Sequence, residues 1–360
     1  MRILLSSVFG TALLSCSTLA FHYALAQNDP SPKIQSFSIP RSVGLGWHFA
    51  WDDSRNELIT DSEERPAKNR SVPVIAVHNV DSGVSRFIQV SQQFPDAPSI
   101  YLDALASAPQ GSILLACQIV PGSRPYVGEH LLLYDDHSAL IRDFIAADYS
   151  VDAVAADSSS NIFLLGTHDS ERSTQESYSL IQKYDSFGHV VAEMLPRSLF
   201  PDEDSPTDDG HQRSGSSTGT PLLSVSQNGL RAYLPKIGDL FALGDNGEIQ
   251  ARVNIVAKLS DFTRSHGYTT FTVDSNAFSP SGDLWLFGRM ERPLRDPKDS
   301  APFHHFLVRI SSERNLDVPY EHVLTDPPAY LPQLIGFDSS GEPVVWGAAP
   351  GGSIISKSPF

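Results

Sequence analysis

Cysteine, methionine and positive charge are all scarce in this chain of 360 residues: two Cys, three Met, and 26 Lys and Arg against 42 Asp and Glu, for a formal net charge of −16. So few basic side chains argue against a nucleic-acid backbone as partner, because phosphate binding rests on clustered Lys and Arg. Cys16 falls in an N-terminal segment expected to be removed, which leaves Cys117 as the one thiol and no intramolecular disulfide. Packing must then hold the fold. Cys117 ends the apolar run Ile113-Leu114-Leu115-Ala116-Cys117, where a buried, inert thiol is expected rather than a nucleophile. C-x-x-C, H-E-x-x-H and a phosphate-cradling glycine loop are also missing, and no hydrolase nucleophile elbow stands out. Hydrophobic residues at 41% and charged residues at 19% exclude wholesale disorder and a polytopic membrane protein.

The N-terminus reads as an export signal. A single positive charge at Arg2 precedes an apolar run from Ile3 to Leu25, and Ala24-Leu25-Ala26 supplies small residues at the cleavage point before the polar NDPSP. Cleavage after Ala26 would deliver residues 27–360 to the periplasm or the medium. The run is also long enough for an uncleaved anchor. Leu13-Leu14-Ser15-Cys16 resembles a lipobox, with an unusual Leu14, and gives a minority alternative of a lipid anchor at Cys16. Asn69-Arg70-Ser71 matches a glycosylation sequon.

Self-similarity decides the fold class. An apolar run, a tight turn ending in Gly or Asn and a second apolar strand recur six times, as in LDALASAPQGSILLA, VDAVAADSSSNIFLLG and SNAFSPSGDLWLFG. The turn residues are Asn56, Gly111, Asn161, Gly229, Gly282 and Gly341, residue types that accept a positive φ. Five copies are followed by a second hairpin, so each repeat supplies four strands. Such units cannot bury both faces without neighbours, which predicts an all-β, single six-bladed β-propeller over residues 27–360. The last copy lacks a clear fourth strand, and the alternating Lys33–Ile39 segment is expected to supply it and close the ring. The competing reading, an Ala-rich helix over Ala139–Ala156 and two α/β domains, leaves the spaced turns unexplained.

VDAVAADSSSNIFLLG, FSPSGDLWLFG and FDSSGEPVVWG resemble blades of six-bladed propellers of the NHL and TolB-like type, a likeness that covers nearly the whole mature chain. LGWHFAWDDSRNELI is more weakly similar to the opening blade of the gluconolactonase and senescence-marker family. That second resemblance implies metal ligands where inner strands begin. Here Trp47 stands where the family has its ligating Glu, so His48 would have to serve as first ligand.

Turns within the hairpins are short, whereas Asp61–Ser71, Pro121–Glu129, Thr167–Ser177, Arg197–Thr220 and Arg289–His304 read as long loops gathered on the opposite face. Scaffolds keep function on such loops. The longest, with Asp202, Glu203, Asp204, Asp208, Asp209 and His211, lacks EF-hand spacing and suits a solvated insert. His304 and His305 are adjacent on a strand and point to opposite faces.

Eight residues before the turn residue stand His48, Asp103, Asp274 and Gln333, and nine before it Asp152; Pro221 breaks the series. These positions open the inner strands on the long-loop side. With Trp47 they are the candidate ligand-binding residues. His48, Asp103, Asp152 and Asp274 are the candidate ligands for a divalent cation such as calcium. The structural alternative is that the aspartates accept backbone N–H groups where each inner strand starts. Two functions follow: an exported scaffold, expected to be monomeric, that binds a protein or small molecule through its long-loop face, or a metal-dependent, lactonase-like hydrolase with a cation at the channel mouth.

Overall fold

The computed structural model describes residues 35–39, 48–67, 70–120, 128–168, 178–200, 206–207, 217–226, 229–292, 303–311, 320–324, 330–349 and 352–357. The export signal, Cys16, the Asn69 sequon and Trp47 lie outside them.

A strand β1 (Gln35–Ile39) precedes four runs of antiparallel strands. The first is β2 (Phe49–Asp52), β3 (Glu57–Ala67), β4 (Arg70–Asn79) and β5 (Ser85–Gln89). The second is β6 (Ser99–Ala108), β7 (Ser112–Val120), β8 (Gly128–Tyr134) and β9 (Leu140–Ala147). The third is β10 (Tyr149–Ala156), β11 (Ile162–His168), β12 (Ser179–Tyr184) and β13 (Val190–Pro196). After a short β14 (Ser217–Thr218), the fourth is β15 (Leu222–Ser226), β16 (Gly229–Leu234), β17 (Asp239–Leu243) and β18 (Ile249–Asn254). A helix α1 (Ile255–Ser265) leads to β19 (Thr270–Phe278), β20 (Leu284–Glu291), β21 (Phe303–Ile310) and β22 (Tyr320–Leu324). β23 (Tyr330–Phe337), β24 (Pro343–Ala349) and β25 (Gly352–Lys357) end the chain.

These strands make an all-β propeller of antiparallel blades. Five sheets have four strands, and the sheet of β19 to β22 has a fifth, because β14 from the long insert pairs parallel with the inner edge of β19 (Ser217↔Thr272). Inner edges carry unpaired N–H and C=O groups, which is why a two-residue strand can dock there. β1 pairs antiparallel with β25 from Gln35↔Lys357 to Ile39↔Ser353, so the first and last strands share one sheet.

The core is divided into clusters, each shared by two neighbouring sheets. Ile59, Ile75 and Ile88 meet Ile100, Leu115 and Leu132 in one, and Trp51, Leu58 and Ala76 meet Ile335, Val344 and Trp346 in another. Each fully buried Leu or Ile contributes about 1.5–3 kcal/mol, so stacking neighbours replaces the absent disulfide. Cys117 is free and fully buried, as its apolar run predicts, and burial pushes its thiol well above the usual range.

One sequence expectation is corrected, and the helix that the sequence reading rejected is indeed absent. Asp61–Ser71 is largely not a loop: β3 and β4 continue their ladder to Ala67↔Arg70, because backbone pairing past the sheet stack needs no apolar side chains. Ala139–Ala156 is not a helix but parts of β9 and β10. The fold also contains a helix that the repeat pattern hides. In α1 the Asn254 side chain caps the Ala257 N–H at 2.7 Å, and Ile255, Leu259 and Phe262 bury one face against Phe271 and Phe306.

Candidate functional site

Inner strands β2, β6, β10, β15, β19 and β23 surround a central cavity of about 1040 Å³. Its middle is apolar, with Ala104, Leu105, Ala153, Leu223, Ala277 and Ile335 on the wall. His48 lines it just before β2, and Asp103 and Asp152 line it from within β6 and β10 and do not open those strands as the spacing suggested, while Asp53 lines it near the β2–β3 turn. No Lys or Arg is among the lining residues.

Asp103, Asp152 and Asp274 share a backbone feature. In each case the ladder between first and second strand slips by one residue, between Leu102 and Ala104, Val151 and Ala153, and Val273 and Ser275. Each aspartate is therefore the extra residue of a β-bulge, a device that re-aims one side chain and frees ladder groups. Opposite two of the bulges stand Gly166 and Gly288, where a Cβ would lie 1.9 Å from Ser150 O and 2.0 Å from Thr272 O. The glycines allow the strands to close on the bulge.

The neighbours of the three aspartates differ. Asp103 is pushed up to about 6 by burial, partly offset by His48 and by the Gln118 backbone N–H, and its Oδ2 is buried with no hydrogen-bond partner. Asp152 Oδ2 accepts a 2.5 Å hydrogen bond from Thr207 Oγ1, so a described residue of the long insert reaches the mouth. Asp274 is not among the cavity's lining residues; its Oδ1 lies 3.4 Å from Arg289 Nη1. Burial raises the Asp274 carboxyl, and Arg289 opposes that shift.

His48 is tied to β3: its backbone N–H donates to Asp61 Oδ1 at 2.8 Å, with Nδ1 3.5 Å from the same oxygen. Gln333 pairs with Trp346 in the ladder and is not among the lining residues. Thus the structure brings His48, Asp103 and Asp152 to the cavity and leaves Asp274 and Gln333 out of its lining. Among the described residues, no group of three or more His, Cys, Asp or Glu side chains is placed to hold a metal ion. The calcium set suggested by strand spacing is not assembled, because Asp274 engages Arg289 and His48 engages Asp61.

Sequence reasoning missed Glu129, which is only 2% exposed on β8. Its Oε1 accepts the Val151 N–H at 2.8 Å, so a residue of one sheet satisfies the backbone beside the next sheet's bulge. Burial first, then the Asp103 and Asp152 charges, push its carboxyl up to about 9. That shift holds Glu129 protonated at neutral pH. An acid opening the buried run of GEHLLLY was the available signal. The sequence reading finds no G-x-S-x-G elbow, yet Gly215–Gly219 does read G-x-S-x-G. Ser217 begins β14 and no helix follows it before β15, so the strand–turn–helix of a nucleophile elbow is not formed.

No protein-family model matches the chain, and no curated protein matches it. Solved structures are similar in fold. A protein of unknown function from Dyadobacter fermentans has a TM-score of 0.50 at 11% identity, covering 91% of this chain and 99% of its own. The Pan2 WD40 domain of Neurospora crassa has a TM-score of 0.44 at 11% identity over 92% and 97%. A Xanthomonas campestris gluconolactonase has a TM-score of 0.43 at 10% identity over 92% of each. At 11% identity the likeness to the Dyadobacter protein speaks to fold alone and not to activity.

Proposed function

We propose that the chain is an exported, monomeric six-bladed propeller of NHL or TolB-like type, its ring closed by β1 on β25, that binds an amphipathic cation at the mouth of its central channel. The observation that carries this reading is the cavity lining: Asp103 and Asp152 at one end, apolar walls between, and no Lys or Arg. A protonated amine with an apolar body would place its charge on the aspartates and its body against the Ala, Leu and Val side chains. The proposal of export rests on residues 1–26. A net charge of −16 would also favour basic over acidic ligands during encounter. A metal-dependent lactonase would need a ligand set that the described residues do not assemble.

Calorimetric titration with 2-phenylethylamine, 2-phenylethanol and 3-phenylpropionate tests this. The amine is expected to bind at least about tenfold more tightly than either other ligand, a difference of about 1.4 kcal/mol, and to weaken as salt is raised. Equal binding of the alcohol or the carboxylate, or no binding by any of the three, contradicts it.

A further inference from the structure

A second pocket, of about 230 Å³, lies at the rim between two sheets and shares no residue with the central cavity. Phe87, Ile88 and Gln89 of β5 form one wall, Gln92 and Gln93 border the short turn after it, and Tyr134 and Ser138 close it from the end of β8 and the turn beyond. No charged side chain is among its lining residues.

Two hydroxyls at this pocket have no hydrogen-bond partner among the described residues. Tyr134 is 1% exposed, yet its Oη has no hydrogen-bond partner, and Ser138 Oγ is likewise buried and unpaired. A buried hydroxyl without a partner is destabilising, so such a group in a native fold calls for an account. Burial also raises the Tyr134 phenol, which keeps it a proton donor across the physiological range. Around these hydroxyls stand side-chain amides, each with both donors and an acceptor; Gln92 Nε2 and Gln89 Oε1 already form a 2.5 Å hydrogen bond that orients the pair. Phe87, 45% exposed, offers an aromatic surface at the rim.

Paired amides, free hydroxyls, one exposed aromatic ring and no charge match a neutral, polyhydroxylated ligand. Its hydroxyl groups can donate and accept at once, and the apolar face of a sugar ring can cover Phe87. The volume is below the roughly 300–1,000 Å³ of drug-sized sites and far above a single water, which fits one sugar ring. We propose that this inter-sheet pocket binds a single neutral monosaccharide unit, independently of the cation site in the channel.

The test is a ligand-observed NMR titration with glucose, galactose, mannose, N-acetylglucosamine and myo-inositol, on the intact protein and three variants. Tyr134→Phe removes one hydroxyl and relieves an unsatisfied buried group. Ser138→Gly removes the other at a residue with φ 68°, where glycine is unstrained, so the fold is expected to survive both. At least one probe should bind saturably, weaken about three- to tenfold in each variant, and bind unchanged in Asp103→Asn. Absence of saturable binding by all five probes, or binding in Tyr134→Phe and Ser138→Gly unchanged from the intact protein, overturns the proposal. So does a crystal soaked in the tightest binder that holds ordered water only in this pocket.

Discussion

Aspartates recur at two places in the blades, and the two sets are treated differently by their surroundings. At the strand turns, Asp135, Asp157, Asp185 and Asp338 each accept two backbone N–H groups on Oδ1, from the residues two and four positions on. These are complete local structures that fix a hairpin. Within the inner strands, Asp103, Asp152 and Asp274 sit on bulges instead, and Asp103 keeps an oxygen buried without a partner. Periodic recurrence is common to both sets, so it cannot separate a residue that builds the repeat from one that the repeat presents. Hydrogen-bond satisfaction can.

The comparison is broken most severely by removing what permits the bulges. Gly166→Ala or Gly288→Ala forces a Cβ onto a backbone oxygen and is expected to destabilise by about 3 kcal/mol, read as a lowered urea midpoint at unchanged slope. An effect below about 1 kcal/mol would mean the strands relax easily and the bulges are incidental. Asp157→Ala removes the acceptor for the Ser159 and Asn161 N–H groups and should lose about 1–2 kcal/mol, with no effect on ligand binding.

A pH effect of at least comparable size is confined to the mouth. Glu129 moves from its ordinary 4.5 to about 9, and Asp103 from 3.8 to about 6, so the native state holds these protons more tightly than the unfolded chain. Stability contributed by the two groups therefore falls as pH rises, over about 4–6 for Asp103 and 4.5–9 for Glu129, and levels off above. Glu129→Gln keeps an acceptor for Val151 and should flatten the slope between pH 6 and 9; thermal unfolding across that range checks it. An unchanged slope would show that Glu129 ionises freely. The smallest effect is expected for Arg289→Met: Asp274 and Arg289 are partly solvated, so the loss should stay within about 1 kcal/mol.

Much of this organisation was legible before the structure. Turn residues such as Asn56, Gly229 and Gly282 do adopt positive φ, and counting back from them reached all three bulge aspartates. What the count could not reach depends on contacts between sheets. Asp274 matches Asp103 in sequence position, but Arg289 across the ladder engages one and the buried Glu129 faces the other. Glu129 itself lies on a third strand, outside any register tied to the inner turn. The helix α1 had its Asn254 cap and its apolar spacing in plain view, but a search for strand repeats passes over an element that occurs once.

The most direct test of the central claim is to measure 2-phenylethylamine affinity and thermal stability together in the Asp103→Asn/Asp152→Asn double variant. If the mouth carboxylates exist to hold a cation, affinity falls at least about tenfold while stability is kept or raised, since a buried carboxylate with one unpartnered oxygen has been removed at Asp103. If instead the midpoint drops sharply and amine binding, where measurable, is unaltered, the aspartates belong to the fold and the channel is not a cation site.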